Sequence, residues 1–305
     1  MKLIPENTVI MSFKLTIGKL SITQCPLFTN EAIVSFIPKE PDSVDTDYLY
    51  YGLQSWDLLG EVDQAVKGAT LNKDKMSRIF GLFPPLPEQK KIASILTSVD
   101  EVIENTQEQI DKLQDLKKAT MNELLTKGIG HTEFKDSELG RIPKSWEVLL
   151  LDKVTVRGSG HTPNKQIEKY WNGGIKWVSL ADSFRLDNGF IDETDKEISE
   201  EGLNNSSAVL HPKGTVVLSR DAGIGKSAVL RYEMAVSQHF MAWRCDERMN
   251  SWYLYYLLQY LKPVFENIAM GSTIKTIGLD FFKKLKITYP TIDEQEEISN
   301  TLLSI

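Results

Sequence analysis

Residues 87–127 read PEQKKIASILTSVDEVIENTQEQIDKLQDLKKATMNELLTK, and this stretch decides the fold. Ile92, Leu96, Val99, Ile103, Thr106, Ile110 and Leu113 follow one another in alternating steps of four and three. Leu116, Thr120 and Leu124 continue the seam after one shift, with no Gly or Pro after Pro87. A heptad sustained this long is the sign of a coiled-coil helix. At about 1.5 Å per residue it is a rod of roughly 60 Å. Gly128 and Gly130 are placed to end it. A helix with one narrow apolar stripe is not satisfied by water, so the pattern predicts a partner helix along the seam.

On either side of the rod the chain repeats itself. Pro5-Glu-Asn-Thr-Val-Ile-Met-Ser12 answers to Pro212-Lys-Gly-Thr-Val-Val-Leu-Ser219, and Ile17-Gly-Lys19 to Ile224-Gly-Lys226, all at an offset of 207 residues. Tyr48–Tyr51 then matches Tyr253–Tyr256, and Gly68–Leu71 matches Gly271–Ile274. Pro84–Gln89 matches Pro290–Gln295, and Ile92, Leu96 and Val99 match Ile298, Leu302 and Ile305. Matches that recur in one order along the chain mean one module present twice. The second copy runs from about Ile142 to Pro290, whereas Pro5 answers to the midpoint of that copy. The expected organisation is the rear half of a first module at 1–87, the long helix at 88–130, a second module at 131–291, and the start of a second long helix at 292–305. On this reading the chain is cut short at both ends.

Within a module the pattern is mixed α/β. Thr215–Ser219 and Ala228–Arg231 flank a Gly-rich turn and predict a hairpin. Trp252–Leu261 carries apolar residues at helical spacing and stops near Pro263. Phe281–Tyr289 alternates and predicts a strand.

Composition bounds the function classes. With 41% apolar and 25% charged residues, 305 residues predict at least two folded domains. Cys25 and Cys245 stand in no ligand spacing, which fits a reducing cytoplasm and no disulfide scaffold. The longest apolar runs fall far short of the ~18–20 residues of a membrane span, and the first residues lack a signal pattern. The net charge of −7 counts against a nucleic-acid partner. Between His211 and Pro290, however, eleven Lys/Arg stand against six Asp/Glu, so an acidic total can hide a basic face. Chance imbalance is the competing explanation.

A module, a long helix, a second module and a second helix start resemble the specificity subunits of type I restriction–modification systems. Local motifs agree. Pro84-Pro-Leu-Pro-Glu-Gln89 with Lys90–Leu96 resembles their exit from a recognition domain into the long helix. Ser137-Glu-Leu-Gly-Arg-Ile-Pro-Lys-Ser-Trp146 resembles the entry to the second domain. Gly158-Ser-Gly-His-Thr-Pro163, Tyr170-Trp171 and Ile175-Lys-Trp-Val178 resemble the opening loop and strand of such a domain. The resemblance implies two target-recognition domains that each read half of a bipartite site in double-stranded DNA. It also implies helices that set the spacing and bind methyltransferase subunits in a complex with restriction subunits. It implies a non-catalytic role, with no cofactor. The exposed seam adds the prospect of a homodimer. The rival from another class is a coiled-coil scaffold of the same system that does not bind DNA.

Candidate DNA contacts are Gly158, Ser159, Gly160, Thr162 and Lys165 in a polar loop, Arg220 and Lys226 beside the hairpin turn, and Thr273 and Lys275 before the last strand. Ordinary connecting loops and generic surface charge would look the same in sequence. Ala222-Gly-Ile-Gly-Lys-Ser227 imitates a phosphate-binding loop, but Arg220 stands where its first Gly belongs and a strand pattern follows. Phe83-Pro-Pro-Leu86 imitates an amino-methyltransferase motif but lacks the leading polar residue. Tyr253, Tyr255, Tyr256 and Tyr260 lie at helical spacing and are assigned to the core. His131, His161, His211 and His239 show no metal-ligand spacing. No catalytic residue and no metal site is assigned.

Overall fold

The heptad stretch is one helix, α2, Leu86–Lys127. It ends at Gly128, whose φ of +67° suits the left-handed position after a helix. The structure is a computed structural model describing residues 3–14, 17–56, 80–269 and 276–305. It divides into two compact units, Met1–Asp111 and Lys112–Ile305, with the boundary inside α2.

In the first unit β1 (Val9–Ser12) lies between β2 (Leu20–Ile22) and β3 (Ile33–Phe36), antiparallel to both. Helix α1 (Thr46–Ser55) covers the sheet, and Val9, Met11, Leu49 and Leu53 form its core. Asp45 caps α1 by accepting from the Tyr48 amide at 2.9 Å.

The second unit opens with a hairpin of β4 (Phe134–Ser137) and β5 (Gly140–Pro143), then β6 (Glu147–Leu150). Next come β7 (Thr155–Ser159), β8 (Trp171–Val178), β9 (Phe190–Ile191), β10 (Lys196–Ile198) and the short α3 (Glu200–Asn204). The remaining strands are β11 (Leu210–His211), β12 (Val216–Ser219), β13 (Ser227–Leu230), β14 (Met234–Val236) and β15 (Phe240–Cys245). They form a five-stranded sheet ordered β7-β15-β12-β13-β9 and a four-stranded sheet ordered β10-β8-β14-β11.

Both faces of the five-stranded sheet are covered, so its strands are apolar at consecutive positions. Val217, Ala228, Leu230, Phe240 and Ala242 join Val178, Met234 and Val236 in one core. Val216, Leu218, Val229, Met241 and Trp243 face α4 (Ser251–Tyr260) in the other. Tyr253, Tyr255 and Tyr256 are buried there, as the helical spacing predicts. Helix α5 (Lys262–Ile268) follows with Pro263 in its first turn.

One expectation is corrected. Phe281–Tyr289 is not a single strand, because Leu279–Lys283 forms a short helix, α6, and only β16 (Lys286–Tyr289) pairs with β6. Alternation failed here because Phe281 and Phe282 are neighbours that both pack. Phe282 meets Trp243, and both rings meet Phe265.

Helix α7 (Ile292–Leu303) closes the chain and buries Gln295, Ile298, Ser299 and Leu302. Its Glu294 accepts from the Ile129 amide at 3.1 Å and the Trp146 indole at 2.9 Å, and meets His131 at 2.7 Å. The start of α7 is thereby tied to the chain leaving α2.

The duplication holds at the level of single hydrogen bonds. The order β2-β1-β3 recurs as β13-β12-β15. Gly18 donates to the Ser12 carbonyl at 2.9 Å, and Gly225 to that of Ser219 at 3.0 Å. Both glycines have positive φ, +84° and +79°. Gln89 accepts from the Asp45 amide at 3.0 Å and donates to the Ser43 and Pro84 carbonyls. Gln295 does the same with Asn250, Arg248 and Pro290.

Candidate nucleic-acid interface

Strand directions bring four connections to one end of the five-stranded sheet. They are residues 160–170 after β7, 179–189 after β8, 220–226 between β12 and β13, and 237–239 between β14 and β15. Backbone bonds fasten them: His161 to the Val236 carbonyl at 3.1 Å, Ser237 to Val178 at 2.8 Å, Arg220 to His239 at 2.9 Å and Asp187 to Ser227 at 2.8 Å. Ile277 also donates to the Arg220 carbonyl at 2.9 Å.

The residues singled out in sequence fall into different roles. Gly158 and Ser159 are not loop residues, because they pair in β7 with Ala242 and Met241. Gly158 is small for packing reasons: a Cβ there would stand 2.7 Å from the His211 ring. Burial holds the His211 pKa below its ordinary value, so the ring is kept neutral while its Nε2 faces the Ser159 carbonyl at 3.3 Å. Gly160 is needed for a backbone approach, since a Cβ would meet the Val236 carbonyl oxygen at 1.6 Å. Thr162 donates to the Gln238 side-chain oxygen at 2.5 Å, and Lys165 is exposed.

Arg220 and Lys226 do flank the turn, but both are engaged inside the protein. Arg220 Nε donates to the Ile277 carbonyl at 3.0 Å, and Lys226 Nζ to the Ser183 carbonyl at 3.0 Å. Thr273 and Lys275 lie outside the described residues. The imitation phosphate loop is a strand-connecting turn, with Gly223 and Gly225 at positive φ and β13 directly after it. Phe83 packs edge-on against Tyr48 and Trp56 in the first unit, which accounts for it without a substrate.

Sequence reasoning missed the centre of the cluster. His239 Nδ1 bonds one Asp221 carboxylate oxygen, and Thr276 donates to the other. His239 Nε2 lies 3.3 Å from the Gln238 amide nitrogen. A chain of side chains therefore runs Thr162, Gln238, His239, Asp221, Thr276. No spacing rule links these positions, because they meet only through the sheet. Phe184, 69% exposed, stands at the same end with the Arg185 guanidinium 4.3 Å from its ring centroid. Among the described residues no group of three or more His, Cys, Asp and Glu could hold a metal ion. Likewise, no helix is long and apolar enough to cross a membrane.

Along α2, Ile92 is half-buried, Leu124 packs against the core of the second unit, and the seam from Leu96 to Leu116 is exposed. Leu96 is 37%, Val99 51%, Ile103 60%, Ile110 42% and Leu113 57% exposed.

The pattern of the type I restriction modification DNA specificity domain matches residues 1–115 and 143–305. Two relatives come from Methanocaldococcus jannaschii. The type I restriction enzyme MjaIX specificity subunit is 31% identical over 173 residues, covering 56% of this chain and 40% of that protein. The MjaVIII specificity subunit is 29% identical over 280 residues, covering 86% of this chain and 64% of that protein. The chain thus spans about half the length of the curated relatives it matches. A chain from work on complex assembly and conformational transition of the type I R-M system superposes with a TM-score of 0.61 at 16% identity. It covers 99% of this chain and 75% of that one. The type I restriction-modification S subunit from M. genitalium gives 0.59 at 13%, covering 99% and 77%. These likenesses show the mixed α/β fold with its long helix. By the match over both modules, the chain belongs to the type I restriction modification DNA specificity domain family.

Proposed function

We propose that this chain is the DNA-reading, non-catalytic subunit of a type I restriction–modification complex. The second module reads one half of a bipartite duplex site. Helix α2 supplies the attachment for a second long helix and for methyltransferase subunits, with restriction subunits completing the complex. The observation that carries the reading is the convergence of four polar connections on one end of a rigid, doubly covered sheet. Gln238, His161, Asn164 and Lys165 are exposed there. Rigid elements that aim loops at one place are what sequence readout requires.

The test is duplex binding as a function of salt. Binding should weaken steeply between ~50 and ~200 mM salt, because each neutralised phosphate releases counterions. No binding at ~50 mM salt with the methyltransferase subunit present would replace this reading by the coiled-coil scaffold. The exposed seam of α2 further supports self-association through that helix, with a homodimer as the simplest product.

A further inference from the structure

We infer that the residue at the tip of the β14–β15 turn, Gln238, is a specificity-determining residue that reads the major-groove edge of an adenine. This rests on the DNA-reading function proposed above and assigns one of its letters.

The first ground is how Gln238 is held. Its side chain is exposed, yet both ends of the amide are fixed. In the tautomer with its proton on Nδ1, facing the Asp221 carboxylate, the His239 ring offers Nε2 as an acceptor to the Gln238 amide nitrogen. Gln238 therefore turns its NH2 toward His239 and its oxygen toward the Thr162 hydroxyl. Each end has capacity to spare, a second N–H on the nitrogen and a second lone pair on the oxygen. That pair is complementary to adenine N7 and N6–H₂. Ordering a long exposed side chain costs rotamer entropy that a single hydrogen bond does not offset. Side chains from four separate segments converge to fix this one amide. Such an arrangement is understandable as preorganisation of a reading group.

The second ground is the duplication. Around this turn the two modules have the same backbone bonds. Arg220 donates to the His239 carbonyl at 2.9 Å, and Phe13 to the Ala32 carbonyl at 2.9 Å. Ser219 donates to Lys226 at 2.8 Å, and Ser12 to Lys19 at 2.9 Å. The positions are therefore matched one for one, and the side chains that build the cluster differ. Arg220, Asp221, Gln238 and His239 answer to Phe13, Lys14, Glu31 and Ala32. The framework is repeated while the group at the tip changes from an amide to a carboxylate. Glu31 is exposed, and an ionised carboxylate only accepts hydrogen bonds, whereas the Gln238 amide both donates and accepts. A network kept for stability alone gives no reason for the exchange to fall on these positions. Two modules that read different half-sites do.

The experiment is motif selection from a randomised duplex library, using the full chain purified with the subunits that accompany it. Wild type, Gln238→Ala and Gln238→Glu are compared, and affinity for one fixed duplex of unselected sequence is measured beside them. Wild type should enrich a motif containing adenine. Gln238→Ala should lose the preference at one base pair by about five- to a hundredfold, a larger factor than its loss of affinity for the unselected duplex. Gln238→Glu should move that position from adenine toward cytosine, a switch that a merely structural role would not produce. An unchanged motif in both variants overturns the inference and leaves the DNA-reading function standing. So does a uniform loss at every position together with the unselected affinity. A wild-type chain that enriches no motif overturns both.

Discussion

At Gly160 a side chain has no room, and the obstacle is backbone. Gly160→Ala would drive its Cβ into the Val236 carbonyl oxygen, which already accepts from His161. Neither neighbour can rotate away without breaking the fastening between the loop after β7 and β14. The variant should lose about 3 kcal/mol or more in urea denaturation, beyond ordinary overpacking. A loss under about 1 kcal/mol would show that this approach is softer than described. Gln295 is fully buried and bonds three backbone groups. Gln295→Ala orphans the Asn250 amide and should cost about 2–3 kcal/mol. Gln89→Ala should do the same in the first unit through the Asp45 amide. If only one of the pair mattered, the two hydrogen-bond brackets would not be equivalent. Neither cysteine enters the chemistry. Both are free, and burial pushes the Cys245 thiol up to about 12, far from the thiolate that reacts.

At the scale of elements, α2 is the part whose surface does not match its solvent. From Leu96 to Leu116 its seam shows apolar side chains left exposed among the described residues. Ile103→Lys with Ile110→Lys should leave both units folded, because neither residue is buried in them. It should abolish self-association or capture of a partner helix, read as a fall to monomer mass by light scattering. The same mass before and after would remove the partner helix from the account. By contrast, α7 shows what the first turns of such a helix do in place: Gln295, Ile298 and Ser299 are consumed by their own module. The matching residues Gln89, Ile92 and Ala93 are half-buried or buried in theirs. The partner-seeking seam therefore begins later than the heptad pattern alone indicates.

At the scale of the molecule, one framework is used twice, with different side chains at one end of its sheet. The sheet order, the glycine turn and the glutamine bracket recur. In the second module β7 and β9 flank the repeated three strands, whereas β2 and β3 are the sheet edges among the described residues of the first. DNA binding that falls steeply with salt belongs to this scale, since it sums over a whole face. An acidic chain can still bind through one end of one sheet. Much of the local positive charge, including Arg220 and Lys226, is spent on protein carbonyls.

The heptad, the repeat, the hairpin and the tyrosine-bearing helix were legible because each is a periodicity or a local match along the chain. The family resemblance was legible because it rests on their order. Of the site residues named from sequence, Gly158 and Gly160 are small because neighbours crowd them, Ser159 pairs within β7, and Arg220 and Lys226 are bonded to protein carbonyls. Phe281–Tyr289 misled because two adjacent aromatics both found a core. The chain from Thr162 to Thr276 left no trace in sequence. Its members are brought together by strand pairing across up to 114 positions, and a hydrogen bond between side chains imposes no spacing on the residues that form it.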